Sequence, residues 1–222
     1  MLPQHISISR ERVKRLLASI GKLRHSPVSR TVNQRMSEFR KGGKWSEDAL
    51  FGELCFCLLT ANFNAERAIA IQEAIGDGFI TLPQPRLAKK LKQLGYRFPN
   101  TRARYIMEAR EHHNRLRLVL ASAASDAERR EWLADNVLGL GYKEASHFLR
   151  NTGHSSVAII DFHIVDVLAE HGVIKKPKNK SLSRKHYLEI EHILASIAKL
   201  AGLTQGELDL YLWYMETGKV LK

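Results

Sequence analysis

A lysine and an aspartate stand at two places in this 222-residue chain where an amine and a carboxylate could act together on one substrate. Lys143 lies in "LGLGYKEASHFLRN", residues 138–151, two positions beyond the second of two glycines. Asp161 follows eighteen positions later, at the head of "DFHIVDVL" and directly after the apolar "VAII". Gly139 and Gly141 flank Leu140, so positive φ is available on both sides of one apolar anchor, and "YKEASHFLR" then resumes helical periodicity. The pattern predicts a helix, a tight turn and a second helix over about residues 132–151. Such a turn presents consecutive backbone N–H groups at a helix start, where partial positive charge holds a phosphate without reading a base. An ordinary helix–helix connection closed by glycine would look the same, Lys143 would then be a solvent-facing residue on a first turn, and Asp161 is a natural helix N-cap. So short a connection nevertheless favours helices packed side by side, in which case an amine and a carboxylate could share one cleft.

The elements that must position this pair are helical throughout. Apolar residues recur at helical spacing in "ISRERVKRLLASIGKLR", "TVNQRMSEFRK", "SEDALFGELCFCLLTAN", "AERAIAIQEAIGDGF", "QPRLAKKLKQLG", "TRARYIMEAREH" and "DAERREWLADNVLGL", and again in "RKHYLEIEHILASIAKLAG" and "TQGELDLYLWYMETGK". The expected fold class is therefore all-α. Ser46, Asn64 and either Asn100 or Thr101 read as helix starts, and Gly95, Gly153 and Gly172 as stops. "VIKKPKNKSLSRKHY" is a basic, turn-prone connection between two late helices, read as a solvated charge run with nonspecific phosphate attraction left open.

Composition narrows the function classes. A chain of this length buries a core as one domain or as two small lobes. Cys55 and Cys57 sit two apart in an apolar run, without zinc-ligand or redox spacing, and read as buried free thiols of an intracellular protein. No apolar run reaches the length of a membrane span, and the polar start lacks a secretory apolar region, so a soluble protein is expected, with no membrane partner. Lys plus Arg number 35 against 23 Asp plus Glu, a formal charge of +12, which fits either a nucleic-acid partner or a plainly basic surface. His112 and His113 have no suitable partner in the sequence and point to no metal.

"LGLGYK" followed by "IIDFH" resembles the hairpin and downstream catalytic aspartate of the helix-hairpin-helix DNA glycosylase superfamily, whose bifunctional members carry lysine where Lys143 stands. "LLTANFNAERAIAIQ", "LGYRFPNTRARYI", "EASHFLRN" and "DLYLWYMETGKVLK" resemble, more narrowly, the type 2 8-oxoguanine DNA glycosylase/lyase subfamily of archaea and some bacteria, over most of the chain from about Ser46 to Lys222. The resemblance implies that residues 1–222 form a single two-lobed helix-hairpin-helix glycosylase unit with its active site in the cleft between lobes. It further implies an enzyme that flips 8-oxoguanine out of double-stranded DNA, excises it through a lysine Schiff base and cleaves the strand 3′ to the abasic site by β-elimination.

In that scheme Asp161 stabilises positive charge developing on the sugar. Lys143 attacks the anomeric carbon, for which only its neutral amine is competent. At a reference pKa of about 10.4, on the order of one amine in two thousand is neutral at pH 7, so a local effect should help. A helix N-terminus and partial burial lower a lysine pKa and a neighbouring Asp161 raises it; the residues alone leave that balance open.

The same resemblance assigns Trp213 and the terminal Lys222 to the damaged base, although Trp213 also reads as a core aromatic. Phe98, ahead of Pro99, is a candidate wedge or stacking face, with Arg97 beside it for a phosphate or the opposite strand. His163 could reach a phosphate or orient Asp161, or be an ordinary helical histidine, and Gly139 and Gly141 would approach the DNA backbone. No metal or cofactor is expected, and two cysteines are too few for the four-cysteine iron–sulfur cluster of some relatives. A monomer in the cytoplasm or nucleoid of an archaeon or bacterium is expected. A glycosylase for another damaged base, and a noncatalytic helix-hairpin-helix DNA-binding module, stand as alternatives.

Overall fold

The structure is a computed structural model that describes residues 10–177 and 181–222. Among these, every regular element is helical: α1 (Arg10–Arg24), α2 (Val28–Gly42), α3 (Glu47–Thr60), α4 (Ala65–Ile75), α5 (Gly78–Thr81), α6 (Gln84–Gln93), α7 (Pro99–Ala109), a 3-10 turn (Arg110–Arg115), α8 (Leu116–Ser122), α9 (Asp126–Asn136), α10 (Tyr142–Asn151), α11 (Phe162–Glu170), α12 (Arg184–Ala201) and α13 (Gln205–Thr217). The described residues divide into two units: residues 10–39 with 154–177 and 181–222, and residues 40–153. No helix among the described residues is long and apolar enough to cross a membrane.

The second unit is built around α3. From Phe51 to Thr60 every residue of this helix except Gly52 is buried, so the helix is apolar nearly all round and central rather than amphipathic. It packs on α4, α7, α8 and α10. Cys55 and Cys57 are free and fully buried, and burial pushes the Cys55 thiol well up, with Arg110 drawing it down less strongly. A buried polar network fixes α10 against this centre. Asn151 Nδ2 donates to Glu53 Oε1 at 2.6 Å, Gln72 donates to Glu53 Oε2 at 3.2 Å, and Arg150 donates twice to Asn151 Oδ1. A carboxylate this deeply buried is tolerated because donors surround it.

In the first unit, α1 packs on α12 and α13, and α11 on α13. Val32, Met36, Phe39, Leu210 and Tyr211 form a buried cluster flanked by Leu23, Leu203 and Val220.

Ser46 and Asn64 cap α3 and α4 through their side chains, and Gly95, Gly153 and Gly172 adopt positive φ after helices, as the sequence indicates. Four expectations change. Helix α7 starts at Pro99, with Phe98 as N-cap, so Asn100 and Thr101 lie inside its first turn; proline's fixed φ and missing N–H suit that first position. The helix expected through "AERAIAIQEAIGDGF" breaks at Gly76, whose φ is 51°, into α4 and α5. Helix α8 lies in a stretch that periodicity passes over. His113, which lacks a partner in the sequence, meets Asp48 at 2.6 Å across 65 residues, while His112 meets the Asn136 carbonyl. Of the basic connection before α12, Lys176 pairs with Asp166 at 2.6 Å, and Lys178, Asn179 and Lys180 lie outside the described residues.

Candidate active site and nucleic-acid interface

The α9–α10 hairpin carries Lys143. The chain leaves α9 at Val137, whose N–H bonds to the Leu133 carbonyl, turns through Gly139 at φ 84°, anchors Leu140 in the core and enters α10 at Gly141. Only Gly139 uses the left-handed region. Gly141 is the N-cap, at φ −86° and ψ −177°, so the expectation of positive φ on both sides of Leu140 holds on one side alone. Gly139 is also a close approach, since a Cβ there would stand 2.2 Å from the Tyr105 ring. The two helices are pinned by the buried Arg130, whose guanidinium lies 4.7 Å from the Tyr142 ring centre, and by the Tyr142 hydroxyl donating to Glu131.

Lys143 is the second residue of α10. With glycine as N-cap, no N-cap side chain accepts from the amides of that first turn, which leaves backbone donors and the positive end of the helix toward an anion. The lysine side chain is 22% exposed, and its Nζ lies 3.8 Å from Oε1 of Glu144, a residue that sequence reasoning did not single out. Leu138, at the turn, is an exposed apolar side chain on the same unit as Phe98, which is 48% exposed with the Arg97 guanidinium 4.9 Å from its ring centre. Arg97 and Phe98 thus form one exposed cation–aromatic pair at the entry to α7.

Asp161, in the first unit, caps α11: its Oδ1 accepts the Ile164 amide at 3.0 Å. That bond leaves Oδ2 available. The segment leading to it is buried at Val157, Ala158, Ile159 and Ile160 and held by α12. Tyr187 Oη donates to the Ala158 carbonyl at 2.7 Å and accepts from Ile160 N at 3.2 Å, while Glu191 Oε1 accepts from Ala158 N at 2.8 Å. Tyr187 and Glu191 therefore set where Asp161 sits, and only their distance in space, not their place in the chain, reveals it.

His163 and Trp213 come together on this unit. Their rings meet edge to face at 4.6 Å, His163 also lies against the exposed Phe162 at 4.0 Å, and its Nδ1 stands 3.9 Å from Glu216 Oε1. Trp213 is half-buried, with its indole Nε1 enclosed and without an acceptor. Lys222 is half-buried rather than fully exposed.

The all-helical fold, with a glycine-turned hairpin offering helix-start amides, defines a protein of the helix-hairpin-helix class. A family model described as 8-oxoguanine DNA glycosylase matches residues 32–203. The chain belongs to that family. It is 51% identical over 207 residues, 93% of this chain and 98% of the relative, to an 8-oxoguanine DNA glycosylase/AP lyase of Korarchaeum cryptofilum. Identity to the protein of the same name from Methanocaldococcus jannaschii is 49% over 207 residues, 93% of this chain and 99% of that one. The crystal structure of the M. jannaschii 8-oxoguanine glycosylase/lyase in complex with a 15mer DNA containing 8-oxoguanine matches with a TM-score of 0.90 and 48% identity, covering 94% of this chain and all (100%) of that one. The 8-oxoguanine DNA glycosylase of Thermotoga maritima matches with a TM-score of 0.88 and 42% identity, over 95% of this chain and 100% of that one.

Proposed function

We propose that this protein excises 8-oxoguanine from double-stranded DNA and then cleaves the strand at the abasic site, working as a monomer in the cytoplasm or nucleoid of an archaeon or bacterium. The observation that carries the reading is 51% identity, over 93% of the chain, to a relative named for both activities. The lysine at the head of the hairpin helix is the chemistry that reading requires.

Lys143 is the nucleophile. It attacks C1′ of the flipped nucleotide, the base departs, and the resulting Schiff base acidifies the neighbouring sugar position so that β-elimination breaks the strand on the 3′ side. Asp161 stabilises the positive charge that develops on the sugar as the glycosidic bond lengthens. Trp213 supplies a stacking face and Lys222 a polar contact to the damaged base. Phe98 fills the gap the base leaves in the stack, Arg97 and His163 meet backbone phosphates, and the hairpin glycines let the backbone approach the duplex. Half-burial of Trp213 and the exposure of Phe98 support these assignments.

The test is borohydride trapping on a duplex carrying one 8-oxoguanine, beside the same duplex undamaged. A covalent adduct confined to the lesion duplex is the expected result, and equal trapping on both, or none on either, would refute the reading. Asp161 separates chemistry from capping. Asparagine caps a helix as well as aspartate does, so Asp161→Asn should shift the thermal midpoint by no more than about 1–2 °C. It removes the charge, and single-turnover base release should fall roughly 10²- to 10³-fold. Loss of stability in step with activity would reduce Asp161 to its cap.

A further inference from the structure

The first turn of α10 holds a carboxylate that the scheme above does not use. Lys143 and Glu144 are consecutive, and consecutive helical side chains point about 100° apart, so contact between them is not the default. Glu144 Oε1 nonetheless lies 3.8 Å from Lys143 Nζ, with the two side chains only 15% and 22% exposed. Its other oxygen, Oε2, lies back over Gly141, where a Cβ would meet it at 3.2 Å.

The geometry has a counterpart in the same chain. Glu144 occupies the third helical position, from which a glutamate bends back toward the N-cap. At α13 this motif is complete: Thr204 Oγ1 accepts from Glu207 N, and Thr204 N donates to Glu207 Oε2 at 2.7 Å. At α10 the N-cap is glycine, with no side chain to reciprocate. The bent-back carboxylate lies instead beside the lysine amine.

Among the described residues, two ionisable groups face Glu144. Lys143 is on its own helix; from the turn before α7 comes Tyr96, whose hydroxyl is held by Arg102 Nε at 3.0 Å. Burial pushes the Tyr96 phenol up, Arg102 draws it down, and Glu144 adds a smaller upward push. Arg102 is itself buried, with one terminal nitrogen unpartnered, so its charge stays committed to this corner of the second unit.

We propose that Glu144 is the proton acceptor for Lys143 during Schiff-base formation, an inference that rests on Lys143 being the nucleophile. The neutral amine attacks C1′, forming the Nζ–C1′ bond while the C1′–N9 bond breaks and its electron pair leaves with the base, which takes a proton from solvent. Nζ now carries two protons and a positive charge. One proton passes to the Glu144 carboxylate, restoring a lone pair on nitrogen. That pair forms the C=N bond as the C1′–O4′ bond opens, and O4′ takes up a proton from solvent. Glu144 thus removes the proton that would otherwise block ring opening, and Gly141 is glycine so that the carboxylate can lie over the helix start.

The experiment follows trapping on the 8-oxoguanine duplex under single-turnover conditions, from about pH 6 to about pH 10, with the full-length wild type and Glu144→Gln. Positioned bases contribute about 10²- to 10⁴-fold, so Glu144→Gln should be slowed about 10²-fold near neutrality. The gap should close toward alkaline pH, where hydroxide takes the proton. Equal rates at every pH overturn the proposal. A loss constant with pH makes Glu144 structural and overturns it too. A gain at low pH shows a carboxylate that merely kept the lysine charged, which also overturns it. If Glu144→Gln does not fold, Glu144→Asp replaces it; a loss that closes with pH supports the proposal, and a wild-type rate or constant deficit ends it. A wild type that does not trap at all refutes the function itself, a result distinct from any of these.

Discussion

Lys143→Gln is expected to give no covalent adduct with the lesion duplex under borohydride and to release base at least about 10³-fold more slowly than wild type. Removing an activated nucleophile eliminates the covalent route altogether, and what remains is the contribution of binding and charge stabilisation. Stability should change little. The side chain is partly exposed, its Nζ pairs with Glu144 at 3.8 Å, and the helix start is set by Gly141 and the buried Leu140 rather than by the lysine. Binding to undamaged duplex should weaken only by what one lost cation contributes, read as a salt slope smaller by about one unit. Base release that persists without trapping would move the attack to water activated near Asp161. Release and trapping both at wild-type rates would exclude Lys143 from the chemistry.

Gly139→Ala is expected to be the most damaging single substitution in the hairpin. Alanine at φ 84° is strained, and its Cβ would stand 2.2 Å from Tyr105 Cδ2 and 2.6 Å from Cε2. The Tyr105 ring has little freedom to retreat, with the guanidinium of Arg102 5.4 Å and that of Arg104 5.3 Å from its centre. Strain and overpacking together should cost about 3 kcal/mol, a fall in the thermal midpoint of roughly 6–12 °C for a chain of this size. Gly141→Ala is the control. Its φ is ordinary and its only close neighbour is the end of the Glu144 side chain, so it should cost less than about 1 kcal/mol. Comparable losses from the two would mean that the turn does not have the geometry described.

The contrast between these glycines shows where the sequence is informative. Helices α10 and α11 begin where "GYK" and "IIDF" place them, because glycine and aspartate write a helix start into adjacent residues. Gly139 and Gly141 look alike in a string of letters, and only the Tyr105 ring, 34 residues upstream, and the Glu144 carboxylate distinguish them. Helix α8 escaped because its seven residues follow a 3-10 turn through "REHHNR", whose three-residue repeat breaks the helical period just before it starts. Glu144 carries no such signal in the sequence for a related reason: a residue adjacent to a lysine along a helix is ordinarily not its neighbour in space. Tyr187 and Glu191, which hold the approach to Asp161, act across 27 to 33 residues, a separation that no local pattern encodes.

The order in which the chain is threaded through its two units has a consequence for biosynthesis. Residues 40–153 form one compact unit that is continuous in the chain, whereas α1 packs on α12 and α13, and the Arg12 side chain bonds to a carbonyl 160 residues downstream. On the ribosome the segment bearing Lys143 can complete its core while the segment bearing Asp161 is still being made, and α1 must wait for residues 154–222 to emerge. At ordinary elongation rates that wait lasts on the order of ten seconds. For that interval Val13, Leu16 and Ile20, the residues α1 will bury, lack the α12 and α13 surface they pack on in the finished chain, which leaves this helix open to nonnative apolar association.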